Sequence, residues 1–382
     1  MHVQLQQALQ QARQQRQQLQ QWRHVSCHDD QLLDFSSNDY LGLRRHAQVL
    51  KAYCDGVRDY GAGSGASPLV NGYQRPHRYL SERLAEWLGR EAVVLFNSGF
   101  AANHSLLSTI GRHYQQVLLD RLAHASLLDG AQASGSRWRR FSHNDVHAAG
   151  QFAAQQAQTL LVTESVFSMD GDQAPVAQLR EACPAADILV DDAHGIGLLG
   201  ADGRSCAAQY SATEVDYLTI TFGKAFGVGG AAIACRQEVA EYLHNFSREL
   251  VYSTAFAAAQ AQAINAALSI IQSAEGQRLR DTLQHNIQQF HDLCLRYGLP
   301  ITRQPAAIQT LILGAESRAL RLSEQLREQG IDCRAMRPPT VAAGQSRLRI
   351  VISARHQPAQ IQQLVLAIAA ALEQVSDDPV SL

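Results

Sequence analysis

The chain has 382 residues, a formal net charge of −2 and a sequence pI of about 6.7. This composition is that of an ordinary globular protein, and it lacks the basic excess typical of proteins that bind nucleic acid. The seven cysteines are widely spaced and include no Cys-x-x-Cys pair, which argues against a disulfide framework and against a zinc site.

The segment from residue 4 to residue 21 is rich in glutamine. Its apolar residues keep helical spacing, at Leu5, Ala8, Leu9, Ala12 and Leu19. Because glutamine is a good helix former, the pattern predicts an amphipathic helix that packs on the body of the protein. The segment has no apolar core of the signal-peptide type, and no apolar run in the chain is long enough to span a bilayer. We therefore expect a cytoplasmic protein with no membrane partner.

Strand and helix patterns alternate from residue 41 to about residue 271. This alternation predicts a mostly parallel sheet covered by helices on both faces. A helix is predicted at 76–88, with Gly89 as its stop, and a long alanine-rich helix at 255–271. A strand is predicted at 137–141, where Arg139 and Arg140 suit a solvated edge as well as they suit a binding patch.

The pattern changes from residue 272. It predicts a long helix to 297, a strand at 308–313, a helix at 317–329, a strand at 347–353 and a helix from 358 to about 375. The fold class is therefore α/β with a smaller C-terminal α+β domain. We divide the chain into an N-terminal helical arm at 1–40, a large domain at 41–271 and a small domain at 272–382.

Three predicted strands of the large domain end in polar residues. The three strand ends present Glu164 and Ser168, Asp191 and His194, and Thr221 and Lys224. In open α/β sheets the ligand binds at the carboxyl edge of the strands, so these residues are candidates for a single site.

Lys224 lies just past its strand in an apolar, glycine-rich setting, between Phe222 and Phe226. A lone lysine beside glycine is usually a surface turn residue. Partial desolvation, however, favours the neutral amine, which is the form that makes a Schiff base with a carbonyl compound.

These groups suit the chemistry of pyridoxal 5′-phosphate (PLP). PLP needs a lysine for covalent attachment and an acid such as Asp191 to keep its pyridine nitrogen protonated. His194 is able to donate a hydrogen bond to the phenolic oxygen of the ring. The phosphate needs free N–H groups, and a predicted helix that starts near Gly99 supplies them.

Seven motifs, taken together and in order, resemble the α-oxoamine synthases, PLP enzymes that condense an amino acid with an acyl thioester and release carbon dioxide. They are 36–43 (SSNDYLGL), 61–67 (GAGSGAS), 97–103 (NSGFAAN), 120–126 (DRLAHAS), 165–172 (SVFSMDGD), 191–195 (DDAHG) and 221–227 (TFGKAFG). The resemblance covers nearly the whole chain. It implies a fold-type I PLP-dependent transferase, aspartate-aminotransferase-like, that works as a homodimer with its active site at the interface.

The resemblance also implies roles for individual residues. It makes Lys224 the Schiff-base lysine, Asp191 the partner of the pyridine nitrogen and His124 the residue that stacks on the ring. It assigns the remaining cofactor contacts to Gly99, Phe100, Ser168, His194, Thr221 and, from the other subunit, Thr254. The substrate carboxylate falls to Arg349, with Asn38 nearby, because a planar guanidinium holds a carboxylate through two parallel hydrogen bonds.

Within the family, the stretch at 68–73 (PLVNGY) is most similar to the biotin-pathway branch, whose members join L-alanine to a pimeloyl thioester. In that branch an arginine of the N-terminal arm binds the far carboxylate of the acyl chain. Arg13, Arg16 and Arg23 are available here, and we take Arg16 and Arg23 as candidates. The acyl carrier, coenzyme A or acyl carrier protein, stays open.

Two alternatives remain. One is the related reaction that acylates glycine with acetyl-CoA, which differs in room for one methyl group. The other is a divalent-metal hydrolase in which His124, Glu164, Asp191 and His194 are ligands. The second alternative gives Lys224 and the turn at Gly99 no role, and we therefore expect no metal.

Overall fold

The computed structural model describes residues 3–376 and divides them into two compact units. The larger unit consists of Asn38–Ser168 and Asp172–Thr282. The smaller unit consists of the described residues up to Ser37, the short segment Met169–Gly171 and the described residues from Leu283 onward. The predicted division at 1–40, 41–271 and 272–382 stays a prediction.

The helices and strands follow in chain order. The helices are α1 (Val3–Gln18), α2 (Ala47–Tyr60), α3 (Arg75–Leu88), α4 (Gly99–Ile110), α5 (Ala125–Ala133), α6 (Val146–Ala153), α7 (Val176–Ala182), α8 (Cys206–Gln209), α9 (Gln237–Phe246), α10 (Arg248–Val251), α11 (Ala258–Ile271), α12 (Ala274–Arg296), α13 (Glu316–Glu328) and α14 (Pro358–Ser376). The strands are β1 (Leu33–Asp34), β2 (Ala92–Phe96), β3 (Gln116–Asp120), β4 (Arg137–Phe141), β5 (Thr159–Glu164), β6 (Asp187–Asp191), β7 (Tyr217–Thr221), β8 (Ala231–Cys235), β9 (Ile308–Gly314), β10 (Ile331–Asp332), β11 (Ala335–Met336) and β12 (Ser346–Val351).

A seven-stranded sheet in the order β2-β8-β7-β6-β5-β3-β4 forms the centre of the larger unit. The five strands from β7 to β4 run parallel, and β8 is antiparallel to both of its neighbours. Strands β3, β5 and β7 are buried along their whole length, and β6 is buried from its second residue onward. This burial on both faces explains their continuous apolar runs and confirms the predicted, mostly parallel sheet.

Strand β4 is the exposed edge that its arginines suggested. The Arg139 guanidinium lies 3.3 Å from the centre of the Phe152 ring and donates to Gln155 Oε1 at 3.1 Å. Arg139 therefore packs against the end of α6, which favours the solvated edge over a binding patch.

The smaller unit contains a three-stranded antiparallel sheet in the order β11-β12-β9 and a short parallel pair of β1 and β10. Helices α13 and α14 contact each other, and α13 also contacts this sheet. Every residue of the central strand β12 is buried.

Helix α1 confirms the predicted helix, but its predicted packing on the body of the protein is wrong. Residues 4–20 are all exposed, including Leu5, Leu9 and Leu19, each with about half of its surface accessible. The helix has few apolar side chains among its glutamines, so its stability depends on the helix propensity of glutamine, alanine and leucine. None of the helices in residues 3–376 is long and apolar enough to cross a membrane.

Candidate active site

The three predicted strands lie side by side in the sheet. Strand β5 pairs with β6, which pairs with β7, all parallel. Glu164 is directly opposite Asp191, and Asp191 is opposite Thr219. The carboxyl ends of the three strands therefore meet at one edge, as the sequence predicted.

Lys224 lies in a tight turn after β7. The Gly223 N–H donates to Thr221 Oγ1 at 3.3 Å, and the Gly227 N–H donates to the Lys224 carbonyl at 2.9 Å. Gly227 has φ +69°, and a Cβ at this position would lie only 2.2 Å from the backbone nitrogen of Arg44. Only glycine fits there, so the turn holds the half-buried Lys224 at the sheet edge.

A chain of hydrogen bonds leads away from Lys224. Its Nζ lies 2.7 Å from His194 Nε2, and His194 Nδ1 lies 2.6 Å from the hydroxyl of the fully buried Tyr40. The Tyr40 hydroxyl donates to Asn38 Oδ1 at 3.1 Å.

One arrangement of the hydrogen atoms satisfies all three bonds. Because an amide oxygen only accepts, the Tyr40 hydrogen points to Asn38, and the Tyr40 oxygen accepts from the N–H at His194 Nδ1. His194 Nε2 then presents its lone pair to Lys224. His194 is therefore placed to accept a proton from the lysine ammonium.

Asp191 is held at the end of β6 by two donors. Asn103 Nδ2 donates to its Oδ2 at 2.6 Å, and the Ala193 N–H donates to its Oδ1 at 3.0 Å. The neighbouring Asp192 accepts instead from Ser205 Oγ at 2.7 Å, and burial raises the pKa of Asp192 to about 7. Of the two adjacent carboxylates, only Asp191 therefore joins the Asn103 network.

His124 caps the first turn of α5. Its Nδ1 accepts from the Ser126 N–H at 3.2 Å and lies 2.8 Å from Ser126 Oγ, which also accepts from Asn103 at 3.0 Å. The His124 N–H donates to Glu164 Oε1 at 2.6 Å. Burial lowers the pKa of His124, and burial together with the charge of Asp191 raises the pKa of Glu164 well above its usual range. Near neutral pH the His124 ring is therefore uncharged.

The start of α4 lies beside the end of β7. Ser98 Oγ accepts from the Ala101 N–H at 3.1 Å, which leaves the N–H groups of Gly99 and Phe100 without a partner in the helix. A Cβ on Gly99 would lie 3.9 Å from Thr221 Oγ1, and one on Gly223 would lie 3.8 Å from the same oxygen. The two glycines thus keep open the space next to this hydroxyl.

Ser168, Phe100 and Thr254 complete the predicted cofactor contacts in the larger unit. Ser168 is half-buried in the turn that follows β5. The Phe100 ring meets His124 edge-on at 6.5 Å. Thr254 is exposed, its carbonyl accepts from Asn97 Nδ2 at 2.9 Å, and it borders a cavity of about 110 Å³ next to α4.

Arg349 belongs to the smaller unit. It lies on the central strand β12, where it is 5% exposed, and its N–H donates to the Arg334 carbonyl at 3.2 Å. Two residues earlier, Arg347 binds Asp170 Oδ1 at 2.5 Å. The role predicted for Arg349 stays a prediction.

The two candidate arginines of the N-terminal segment are exposed. Arg16 is in α1, and its carbonyl accepts from the N–H groups of Gln21 and Trp22. Arg23 follows the helix and donates to Thr340 Oγ1 at 2.6 Å. Burial and the nearby charge of Arg23 lower the pKa of Arg337.

The donor set of the larger unit fits PLP. Lys224 supplies the amine, Asp191 the carboxylate and His124 a neutral ring, and the start of α4 supplies N–H groups for an anion, while the Thr221 hydroxyl donates to the Gly230 carbonyl at 3.2 Å. The ligand arrangement that a metal hydrolase needs, three or more His, Cys, Asp or Glu side chains able to hold an ion, is not found among residues 3–376.

Three residues of the seven motifs take part in the site although the sequence predicted no role for them. Tyr40 and Asn103 are part of the network, and Ser126 links His124 to it. Asn103 and Ser126 had a local signal, since a polar side chain on an otherwise apolar helix face usually has a buried partner. Tyr40 had no local signal of its contact with His194, because the two residues are 154 positions apart in the sequence.

Comparisons with known proteins agree with this geometry. The model of the aminotransferase class I and II family matches residues 30–368. An 8-amino-7-oxononanoate synthase of Klebsiella pneumoniae (strain 342) is 48% identical over 341 residues, which cover 88% of each chain. One from Yersinia pseudotuberculosis (serotype O:1b, strain IP 31758) is 47% identical over 348 residues, which cover 90% of each.

Solved structures share the fold. A serine palmitoyltransferase variant of S. paucimobilis with a bound PLP–myriocin aldimine matches with a TM-score of 0.89 at 25% identity, over 97% of this chain and 98% of that one. An 8-amino-7-oxononanoate synthase of Francisella tularensis matches with a TM-score of 0.79 at 28% identity, over 91% and 100% of the chains. The fold is that of a fold-type I PLP transferase.

Proposed function

The chain belongs to the aminotransferase class I and II family, and we propose that its site joins L-alanine to a pimeloyl thioester. The products are 8-amino-7-oxononanoate, carbon dioxide and the free thiol, as in the biotin-pathway relatives that it resembles over 88–90% of its length. The cofactor is PLP, which supplies a protonated pyridine ring that accepts the electrons of the broken Cα–H bond. The observation that carries the proposal is the meeting of Lys224, His194 and Asp191 at the ends of adjacent strands.

Lys224 is the base of this reaction. In the neutral form its Nζ takes the Cα proton of L-alanine. His194 Nε2, 2.7 Å away, receives the proton from the resulting ammonium, and the N–H at Nδ1 stays bound to Tyr40. Lys224 and His194 thus share one proton along a fixed line, which readies the lysine for each turnover.

With PLP bound, Asp191 would keep the proton on the pyridine nitrogen of the cofactor. Asn103 and the Ala193 N–H keep this carboxylate in place, so it needs no reorganisation when the cofactor binds. With PLP bound, the uncharged ring of His124 would lie against it, and the N–H groups of Gly99 and Phe100 together with the Thr221 hydroxyl would hold its phosphate.

The substrate contacts come from groups that the sequence singled out. We assign the alanine carboxylate to Arg349 and Asn38, and the far carboxylate of the acyl chain to Arg16 or Arg23. We also propose a cytoplasmic homodimer in which Thr254 contacts the phosphate bound by the other subunit. Light scattering of the holoenzyme tests the dimer, and a monomer with full activity would contradict it.

The test uses the fact that the sequence contains only two lysines, Lys51 and Lys224. Purified protein is mixed with PLP, reduced with borohydride and digested. The masses of the two peptides that contain a lysine are then measured by mass spectrometry. We expect the added mass on Lys224 alone, because Lys51 is exposed and paired with Asp55 at 2.5 Å.

The same preparation is then assayed for thiol release with L-alanine and pimeloyl-CoA, and with glycine and acetyl-CoA. Release with the first pair only is the expected result. Equal release with the second pair would favour the glycine acyltransferase, since discrimination depends on one methyl group, worth about 1–3 kcal/mol. Protein that takes up no PLP would contradict the proposal.

A further inference from the structure

A third histidine, outside the proposed cofactor contacts, connects two loops of the site. His143 follows the edge strand β4 and lies between two carboxylates. Its Nδ1 is 2.9 Å from Asp120 Oδ1, and its Nε2 is 2.7 Å from Asp172 Oδ2. Both ring nitrogens donate when the ring is protonated, so one imidazolium pairs with both carboxylates.

The charge of His143 is fixed by this environment. Burial alone lowers its pKa, but the hydrogen bonds and charges of Asp120 and Asp172 outweigh burial and raise it to about 10. Asn144, with φ +55°, adds its backbone N–H to Asp120 and its side-chain amide to Asp172, each at 2.9 Å. The cluster of His143, Asn144, Asp120 and Asp172, called the clamp below, is therefore firmly held.

One end of the clamp shapes the loop that carries His124. Asp120 is the last residue of β3, and its Oδ1 also accepts from the Leu122 N–H at 2.8 Å. The Ala123 N–H donates to the Asp120 carbonyl at 3.1 Å, so the chain turns here just before His124. The position of His124 thus depends on Asp120.

The other end of the clamp holds the loop that carries Ser168 on both sides. The Phe167 ring, one residue before Ser168, meets the His143 ring at right angles with the ring centres 4.4 Å apart. Asp172, four residues after Ser168, pairs with His143, and its carbonyl accepts from the Phe167 N–H at 2.9 Å. The ends of this loop are therefore tied to each other and to the imidazolium.

We propose that His143 is a positioning residue for the cofactor: it fixes the 120–124 and 165–172 loops at the spacing that places His124 and Ser168 against bound PLP. The proposal depends on the proposed function of the site, because the two loops matter only if PLP binds between them. His143 itself is assigned no contact with substrate or cofactor. Its effect reaches the reaction through the two loops.

The experiment compares the wild type with His143→Gln, Asp172→Asn and the double variant. PLP affinity is measured on apoprotein by the visible absorbance of the bound cofactor, at a temperature well below each melting temperature. The matched control is His113→Gln, since His113 is an exposed histidine whose one side-chain bond, to the Tyr242 hydroxyl at 2.9 Å, lies outside the site.

We expect His143→Gln to weaken PLP binding about tenfold, the effect of losing one charge-assisted hydrogen bond, and to shift the absorbance maximum of the bound cofactor. Asp172→Asn, which keeps an acceptor oxygen, is expected to lose less PLP affinity than His143→Gln. Because both residues act through one contact, the double variant is expected to bind about as weakly as His143→Gln alone. His113→Gln is expected to bind like the wild type.

A purely structural role predicts a lower melting temperature with unchanged PLP affinity and spectrum, and this result would overturn the proposal. A double variant that binds PLP more weakly than His143→Gln alone, by the full loss measured for Asp172→Asn, would also overturn it. Failure of the wild type itself to bind PLP at Lys224 would count instead against the proposed function, so the two ideas fail separately.

Discussion

His124 and His143 follow neighbouring parallel strands of the same sheet, yet their surroundings make them chemical opposites. The His124 ring has a hydroxyl partner, Ser126, and burial lowers its pKa. The His143 ring has two carboxylate partners, and its pKa is raised to about 10. At neutral pH the first is an uncharged ring and the second is a fixed cation.

The comparison extends to the networks around the two residues. Around Lys224, the hydrogen bonds join an amine, an imidazole and a hydroxyl, and in the proposed function the bond between Lys224 and His194 carries the proton. In the clamp, the protonated ring of His143 is held between the carboxylates of Asp120 and Asp172. Groups placed for reactivity contribute less to stability than groups placed for stability alone, so substitutions in the two networks should separate activity from stability.

The largest expected effect is that of Lys224→Ala. Removing the only amine at the sheet edge should reduce thiol release below detection, while the melting temperature of the apoprotein stays within a few degrees of the wild type. The control is Lys51→Ala, which removes the only other lysine and an exposed ion pair. Measurable turnover by Lys224→Ala would remove the lysine from the mechanism.

Asp191→Asn should have the next largest effect. The amide keeps the size of the side chain but not its charge, so PLP should still bind, within about tenfold, while turnover falls by about 10²–10⁴ because proton removal from alanine slows. Asp192→Asn is the matched control, because this neighbour faces Ser205 instead. Steady-state rates and PLP titration are measured for both variants. An equal loss of turnover in Asp191→Asn and Asp192→Asn would contradict the role assigned to Asp191.

The clamp should reveal itself in the pH dependence of stability. The pKa of His143 is about 10 in the folded protein and about 6.5 in the unfolded chain, and the groups that face it are Asp120 and Asp172. The contribution of protonated His143 to the stability of the folded protein is therefore complete below about pH 6.5, and it is lost as the pH rises towards 10.

The check is chemical denaturation of apoprotein at about pH 6 and about pH 10. The free energy of unfolding of the wild type should exceed that of His143→Gln by a few kcal/mol, at most about 5, at the lower pH, and this difference should shrink at the higher pH. A difference that is the same at both values would mean that the clamp does not depend on the charge of His143.

The smallest expected effect is that of His113→Gln. His113 is exposed, and its bond to Tyr242 lies on the surface of the larger unit. We expect a change in the free energy of unfolding within about 0.5 kcal/mol and no change in turnover. Calorimetry and the thiol assay give both values, and a loss as large as that of His143→Gln would show that any histidine substitution perturbs this unit.

Much of the site was predictable because parallel strands place their carboxyl ends together. The residues after β5, β6 and β7 meet as expected, and the glycine-rich turn holds Lys224 where the sequence placed it. The order of the seven motifs then indicated the family. The packing of α1 was predicted wrongly, because helical spacing of apolar residues shows only that one face is apolar and does not show what covers that face.

By itself, the sequence determined the strands, the helix start at Gly99 and the identity of the reactive groups, because these depend on local periodicity and on turn residues. Only the tertiary structure decided that Asp191, and not Asp192, faces Asn103, that Tyr40 sets the orientation of His194, and that His143 lies between Asp120 and Asp172. Each of these pairs is far apart in sequence, and no local pattern encodes a contact between distant side chains. Such contacts arise when the sheet brings its loops together, and they fix the charge that each side chain carries.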